Sequence, residues 1–167
     1  MATPTNLPAV EVANTTLPAS WLNDLRGAFR ILQVVTASTS TAVSSSTATL
    51  ADTGLSASIT PQSTSSKILV YVVHPQCYKS NANGFNCLSM AILRGATNIQ
   101  TVVSVAGFTA TALDNVFGVS GIHLDSPNTT SATTYKTQFA SAFGGASVQV
   151  QYGSAGTSTI MLMEVSA

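Results

Sequence analysis

From Ile31 to the C-terminus, apolar and polar positions alternate in short bursts cut by turn residues. ILQVVT (31–36) is apolar on both faces. The Ser/Thr-rich stretch 38–49 is low in complexity yet β-compatible, and predicts a loop plus an edge strand. Leu55, Ala57 and Ile59 alternate with Ser56 and Ser58, the two-residue period of a strand with one polar face, and Thr60-Pro61 breaks it. KILVYVV (67–73) is a continuous apolar run, which suits a central strand. Leu88, Met90 and Ile92 lead to Arg94-Gly95, and Ile99, Val103 and Val105 follow up to Gly107. VFGVSGIHL (116–124) reads as another strand, with Gly118 and Gly121 at bulges or close contacts. Asp125-Ser-Pro-Asn128 reads as a turn. Tyr135, Thr137 and Phe139 alternate with Lys136 and Gln138; Val148, Val150 and Tyr152 alternate with Gln149 and Gln151. Gly144-Gly145 turns between them, and TIMLMEV (159–165) closes the chain. The pattern predicts about eight to ten short strands and no helix after residue 27. It is the pattern of an all-β protein, an antiparallel β-sandwich of jelly-roll type over residues 31–167.

Residues 1–30 have neither period. Pro4, Pro8 and Pro18 favour extended chain, and Leu7, Val10, Val12 and Leu17 are scattered among them. In SWLNDLRG, Ser20 can cap a helix of about residues 20–26, Trp21 and Leu25 lie one turn apart beside Leu22, and Gly27 can end it. So short a helix is unstable alone. These residues predict an extended anchoring arm whose contacts are Leu7, Val10, Val12, Leu17, Trp21, Leu22 and Leu25. The competing reading is a tail whose helix folds onto its own domain.

Charge changes the picture most. Six Lys/Arg balance six Asp/Glu, and charged residues make up 7% of the chain, against roughly 25% in an ordinary domain. At 45% hydrophobic residues and a mean hydropathy of +0.33, the chain is not of disordered composition. Near-zero net charge favours association. Outward strand faces of Ser, Thr and Gln lack the charges that usually block edge pairing. These features predict a homo-oligomer. A basic patch for nucleic acid is missing, as is any apolar run long enough to span a bilayer. The N-terminus has no signal-peptide pattern, so synthesis in a cytoplasm is expected.

Candidate chemistry is sparse. His74, Cys77 and Cys87 have the spacing of half a zinc site, with His123, Asp114 or Asp125 as the remaining candidates. The bland reading is a strand-end histidine and two thiols, so no metal and no cofactor are expected. Cys77 and Cys87 flank KSNANGFN, and the Asn83-Gly84 turn signal would let them face each other across a hairpin, as a disulfide or as reduced thiols. The carboxylates are scattered, and Asp52 and Asp125 stand in turn-like contexts. No nucleophile elbow or phosphate loop is present, and no enzyme is expected. Tyr78, Asn81, Asn83, Phe85 and Asn86 cluster between two strands and offer a ligand loop suited to a sugar. The plainer reading is a polar hairpin loop.

The segments ASWLNDLRGAFRILQVV, TGLSASITPQSTSSKILVYV, LRGATNI, LDSPNTTSATTYKTQ and STIMLMEV together resemble a β-rich module of tailed-bacteriophage virion proteins. The resemblance covers most of residues 21–167 and leaves out the Cys77–Cys87 loop. It implies a jelly-roll-like sandwich, a trimer, a place on the virion exterior, and no catalytic residues. A tail fibre needs a shaft of heptads or repeats, which this chain lacks. The expectation is therefore a capsid decoration (cement) protein, bound through its arm to the major capsid protein. A short tail fibre or receptor-binding knob contacting tail proteins is the alternative. A carbohydrate-binding module for a host-surface glycan is the third.

Overall fold

The computed structural model describes residues 31–166. Ten strands run in chain order: β1 (Ile31–Thr39), β2 (Val43–Ser45), β3 (Ala51–Ile59), β4 (Lys67–Lys79), β5 (Leu88–Arg94), β6 (Thr97–Ala106), β7 (Asn115–Asp125), β8 (Thr133–Ser141), β9 (Val148–Val150) and β10 (Ser158–Val165). All pairings are antiparallel. One sheet has the long-strand order β1-β10-β4-β7, with β9 continuing the β10 edge of β4 and β2 pairing β9. The other has the order β3-β8-β5-β6. Interleaved in this way, the eight long strands have jelly-roll order. No helix among the described residues is long and apolar enough to cross a membrane.

The predicted strands are present, with differences that have local causes. The 67–73 run is central, paired with β10 on one side and β7 on the other, but β4 extends on to Lys79. A register shift between His74 and Cys77 absorbs Pro75, which has no N–H to donate to a ladder. The strand predicted through Tyr152 ends at Val150: Gln151 takes a left-handed conformation (φ 50°) and Tyr152–Ser154 form a 3-10 turn. Asp52 lies in β3 next to a bulge, not in a turn, and Asp125 ends β7. Gly144 and Gly145 do turn the chain, at φ 69° and 81°. Gly121 is a close contact, since a Cβ there would lie 2.8 Å from Val102 Cγ1.

Two apolar clusters fill the space between the sheets. Val70, Val72, Ile160 and Leu162 of the first sheet meet Leu55, Ile59, Ile92 and Tyr135 of the second. Farther along, Cys77, Val148 and Val150 meet Leu88, Met90 and Phe139. Burying a side chain of this size stabilises by about 1.5–3 kcal/mol.

Candidate interaction surface

The two outer faces differ in kind. Along the outer face of β3 and β8, Asp52 pairs with Gln138, Ser56 with Lys136 and Ser58 with Thr134. Lys136 Nζ lies 2.7 Å from Asp52, whose carboxyl is held below its usual range by that bond. Such a face is built for water, and matches the polar faces predicted from sequence.

The outer face of β1-β10-β4-β7 is apolar at one end, which corrects that expectation there, and returns to Ser38, Thr159 and Ser120 around Val73 in the third row. Registers align Val34 with Met163, Met163 with Leu69, and Leu69 with Leu124 in one row. The next row runs Thr36, Met161, Tyr71 and Ile122. Val34, Tyr71, Ile122 and Leu124 are exposed at 51%, 40%, 58% and 56%. A strand whose two faces are both apolar reads as a continuous run. KILVYVV therefore buries Ile68, Val70 and Val72 while presenting Leu69, Tyr71 and Val73 outward. Lys67 is the charged residue on these rows, at their margin, and its Nζ donates to Ser126 Oγ at 2.6 Å.

At the far end of this sheet lies the predicted ligand loop. Tyr78 stacks on Tyr152, ring centroids 4.4 Å apart. Its hydroxyl donates to Asp114 Oδ1 at 2.5 Å, and Asp114 thereby pushes the phenol up to about 12. The Asn81 backbone N–H donates to the same oxygen. Phe85 is exposed and tilted against Phe108, and Asn83 is exposed in its turn. Asn86 does not belong with them. It is buried, its Nδ2 donates to Ser147 O at 2.8 Å and its Oδ1 accepts from Ser141 Oγ, so it staples the loop to the framework. Sequence reasoning missed Asp114, Phe108 and Tyr152 as partners, because they come from elements distant in the chain.

In the structure Cys77 and Cys87 are free, buried thiols. Asn83-Gly84 does not close a hairpin: β4 pairs with β7, β9 and β10, whereas β5 pairs with β6 and β8 in the other sheet. Burial pushes the Cys77 thiol up to about 12 and raises Cys87 as well. Among the described residues no three His, Cys, Asp or Glu side chains gather as a metal site.

His74 is wholly buried and belongs to a polar chain through the core. With the Gln151 amide oxygen turned inward, it accepts from His74 Nδ1 at 3.2 Å and from Ser158 Oγ at 2.8 Å; its nitrogen donates to the Thr41 and Val150 carbonyls. His74 Nε2 lies 3.1 Å from Thr137 Oγ1, which lies 2.6 Å from Thr53 Oγ1. Thr53 faces inward beside the β3 bulge, where Gly54 takes φ 81°. His74 stands at the β4 register shift, Gln151 just past the end of β9 and Thr53 at the β3 bulge, while Thr137 lies within regular β8 opposite that bulge. Burial lowers His74 to about 4, so the ring is neutral near pH 7. Both ring nitrogens are thus engaged within the core, one by Thr137 and the other by Gln151.

Charged groups also close the ends of the core. Arg94 bonds both oxygens of Asp125 at 3.0 and 2.9 Å, and the Tyr135 hydroxyl donates to Asp125 at 2.7 Å. Glu164 accepts from Gln33 and from the Gln62 N–H, which together with other hydrogen bonds outweigh its burial and lower its pKa. Lys79 Nζ donates to Thr109 Oγ1 at 2.6 Å. The arm residues Leu7, Val10, Val12, Leu17, Trp21, Leu22 and Leu25 lie outside the described residues, as does the helix expected at 20–26.

No family model matches this chain, and no curated protein matches it in sequence. Among solved structures it is similar to the VP2 subviral particle of infectious bursal disease virus, at 16% identity and a TM-score of 0.40, over 81% of this chain and 39% of that one. VP2 of the derived T=1 particles of that virus matches at 16% and 0.40, over 82% and 37%. A structure of the Gx strain matches at 18% and 0.40, over 81% and 37%. The chain spans under two fifths of the length of these proteins.

Proposed function

We propose that this chain is a non-enzymatic structural protein of a virion, a capsid decoration (cement) protein that binds the major capsid protein through residues 1–30. The observation that carries the reading is the uncharged outer face of the β1-β10-β4-β7 sheet, apolar in the rows of Leu69 and Tyr71, on a chain with no net charge. Such a surface is suited to an assembly. The tailed-phage part of the proposal, its trimeric state and its exterior position rest on the sequence resemblance. The test is the copy number per purified virion, measured against the major capsid protein. Hundreds of copies are expected of a decoration protein. A few to a few dozen would overturn that position in favour of the tail.

The stacked Tyr78–Tyr152 pair and the exposed Phe85 and Phe108 favour a second reading, a short tail fibre or receptor-binding knob whose aromatic end meets a host-surface glycan. Aromatic faces stack on apolar sugar faces, and Asp114 and Gln149 stand nearby as hydrogen-bonding groups. In that case purified protein competes with virions for host cells, and Tyr78→Ala abolishes the competition. Failure to compete at saturating concentration removes this reading.

A further inference from the structure

The uncharged sheet face has a definite extent, and that extent bears on what covers it. Counting registers, four rows of four residues lie on the outer side of β1-β10-β4-β7 and its β2/β9 extension, from Leu69 and Leu124 at one end to Tyr78 and Val116 at the other. A residue on a sheet face occupies roughly 30 Å², from a strand spacing of ~4.8 Å and a two-residue repeat of ~6.8 Å. The face thus offers roughly 500 Å² per copy. Two copies packed on it would bury about 1,000 Å², the size at which a specific interface becomes tenable.

The chemistry of the face favours its own kind. Between Lys67 at one margin and Asp114 at the other, no row carries an ionised side chain: Leu69, Leu124, Met161, Met163, Tyr71 and Ile122 form an apolar centre, and Ser, Thr and Gln residues complete the remaining rows. Interface cores are poor in charge and enriched in Met and aromatics. In a self-association a charge at the centre would meet its own copy, so an uncharged centre is what such a contact requires. The opposite outer face, with Asp52 and Lys136, has the reverse character.

We infer that the outer face of the β1-β10-β4-β7 sheet is the surface on which a second copy of this chain packs. The inference rests on the self-association in the proposed function and assigns it a two-fold, face-to-face contact in place of the trimer implied by the resemblance. Full-length protein and the variants Ile122→Glu and Met161→Glu are compared by light scattering after gel filtration, at tens of micromolar. Ser58→Glu, on the opposite outer face, serves as the control. The expected result is an oligomer for the native chain and the control, and a monomer with a retained β-type circular dichroism spectrum for both face variants. Should the glutamates prevent folding, Ile122→Ser is the milder variant, and it is expected to raise the dissociation constant at least tenfold. An oligomer whose mass and dissociation are untouched by these changes overturns the assigned face while leaving the oligomer in place. A monomeric native chain overturns both. Trp21 is the single tryptophan. A monomeric native chain whose tryptophan emission shifts to the red in Ile122→Glu would give the face to residues 1–30 instead.

Discussion

Acid should weaken this fold in a window set by one histidine. His74 is neutral in the folded chain because burial lowers it from 6.5 to about 4. The unfolded chain therefore binds a proton from about pH 6.5 downward that the folded chain refuses. The sign follows: the folded state binds fewer protons, so stability is full above pH 6.5 and falls as the pH drops towards 4. The slope approaches about 1.4 kcal/mol per pH unit, so going from pH 7.5 to pH 5 should cost about 2 kcal/mol. The carboxylates with lowered pKa, Asp52 and Glu164, lose their contribution only below their ordinary values of 3.8 and 4.5, which keeps the two effects apart. The assay is urea unfolding followed by far-ultraviolet circular dichroism from pH 5 to 8, at fixed protein concentration because association shifts apparent stability. His74→Gln should lose about 1–3 kcal/mol at pH 7.5 through the disturbed bonds to Thr137 and Gln151, and should flatten the slope between pH 5 and 6.5. A flat native profile, or a His74→Gln profile with the slope intact, would refute the reasoning.

Other expectations follow from single contacts. Asp125→Ala strips the partner from both Arg94 and the buried Tyr135 hydroxyl, and should cost about 2–4 kcal/mol in chemical denaturation, whereas Tyr135→Phe should cost about 1–2. Gly121→Ala drives a methyl into Val102 and should destabilise by about 1–3 kcal/mol; Val102→Ala in the same chain should recover part of that loss, and simple additivity of the two would argue against the contact. Cys77 and Cys87 should resist iodoacetamide in the folded protein and both react in urea without reductant, as read by mass spectrometry. A denatured chain that takes up no label would mean that they are bridged.

The strands and their approximate limits were legible because the two-residue period is local: Leu55, Ala57 and Ile59 carry it within five positions. So was the turn at Gly144-Gly145, whose positive φ suits glycine. Composition announced low charge and a tendency to associate. Other features depended on which strands meet, and no local pattern encodes that. Cys77 lies in β4 of one sheet, whereas Cys87, ten residues on, sits just before β5 of the other. The apolar run at 67–73 marked β4 as central, but only the alignment of β4 with β1, β7 and β10 placed Leu69, Tyr71 and Val73 on one outward-facing field with Val34, Met163 and Ile122. Thr53 and Thr137 are 84 positions apart, and His74 and Gln151 are 77 apart, so the polar chain across the core exists only once both sheets close. Period and composition act over a few residues and determined the strands and their low charge. Long-range pairing is selected by the packing of whole sheets, and it decided where each face points and which polar groups share the interior.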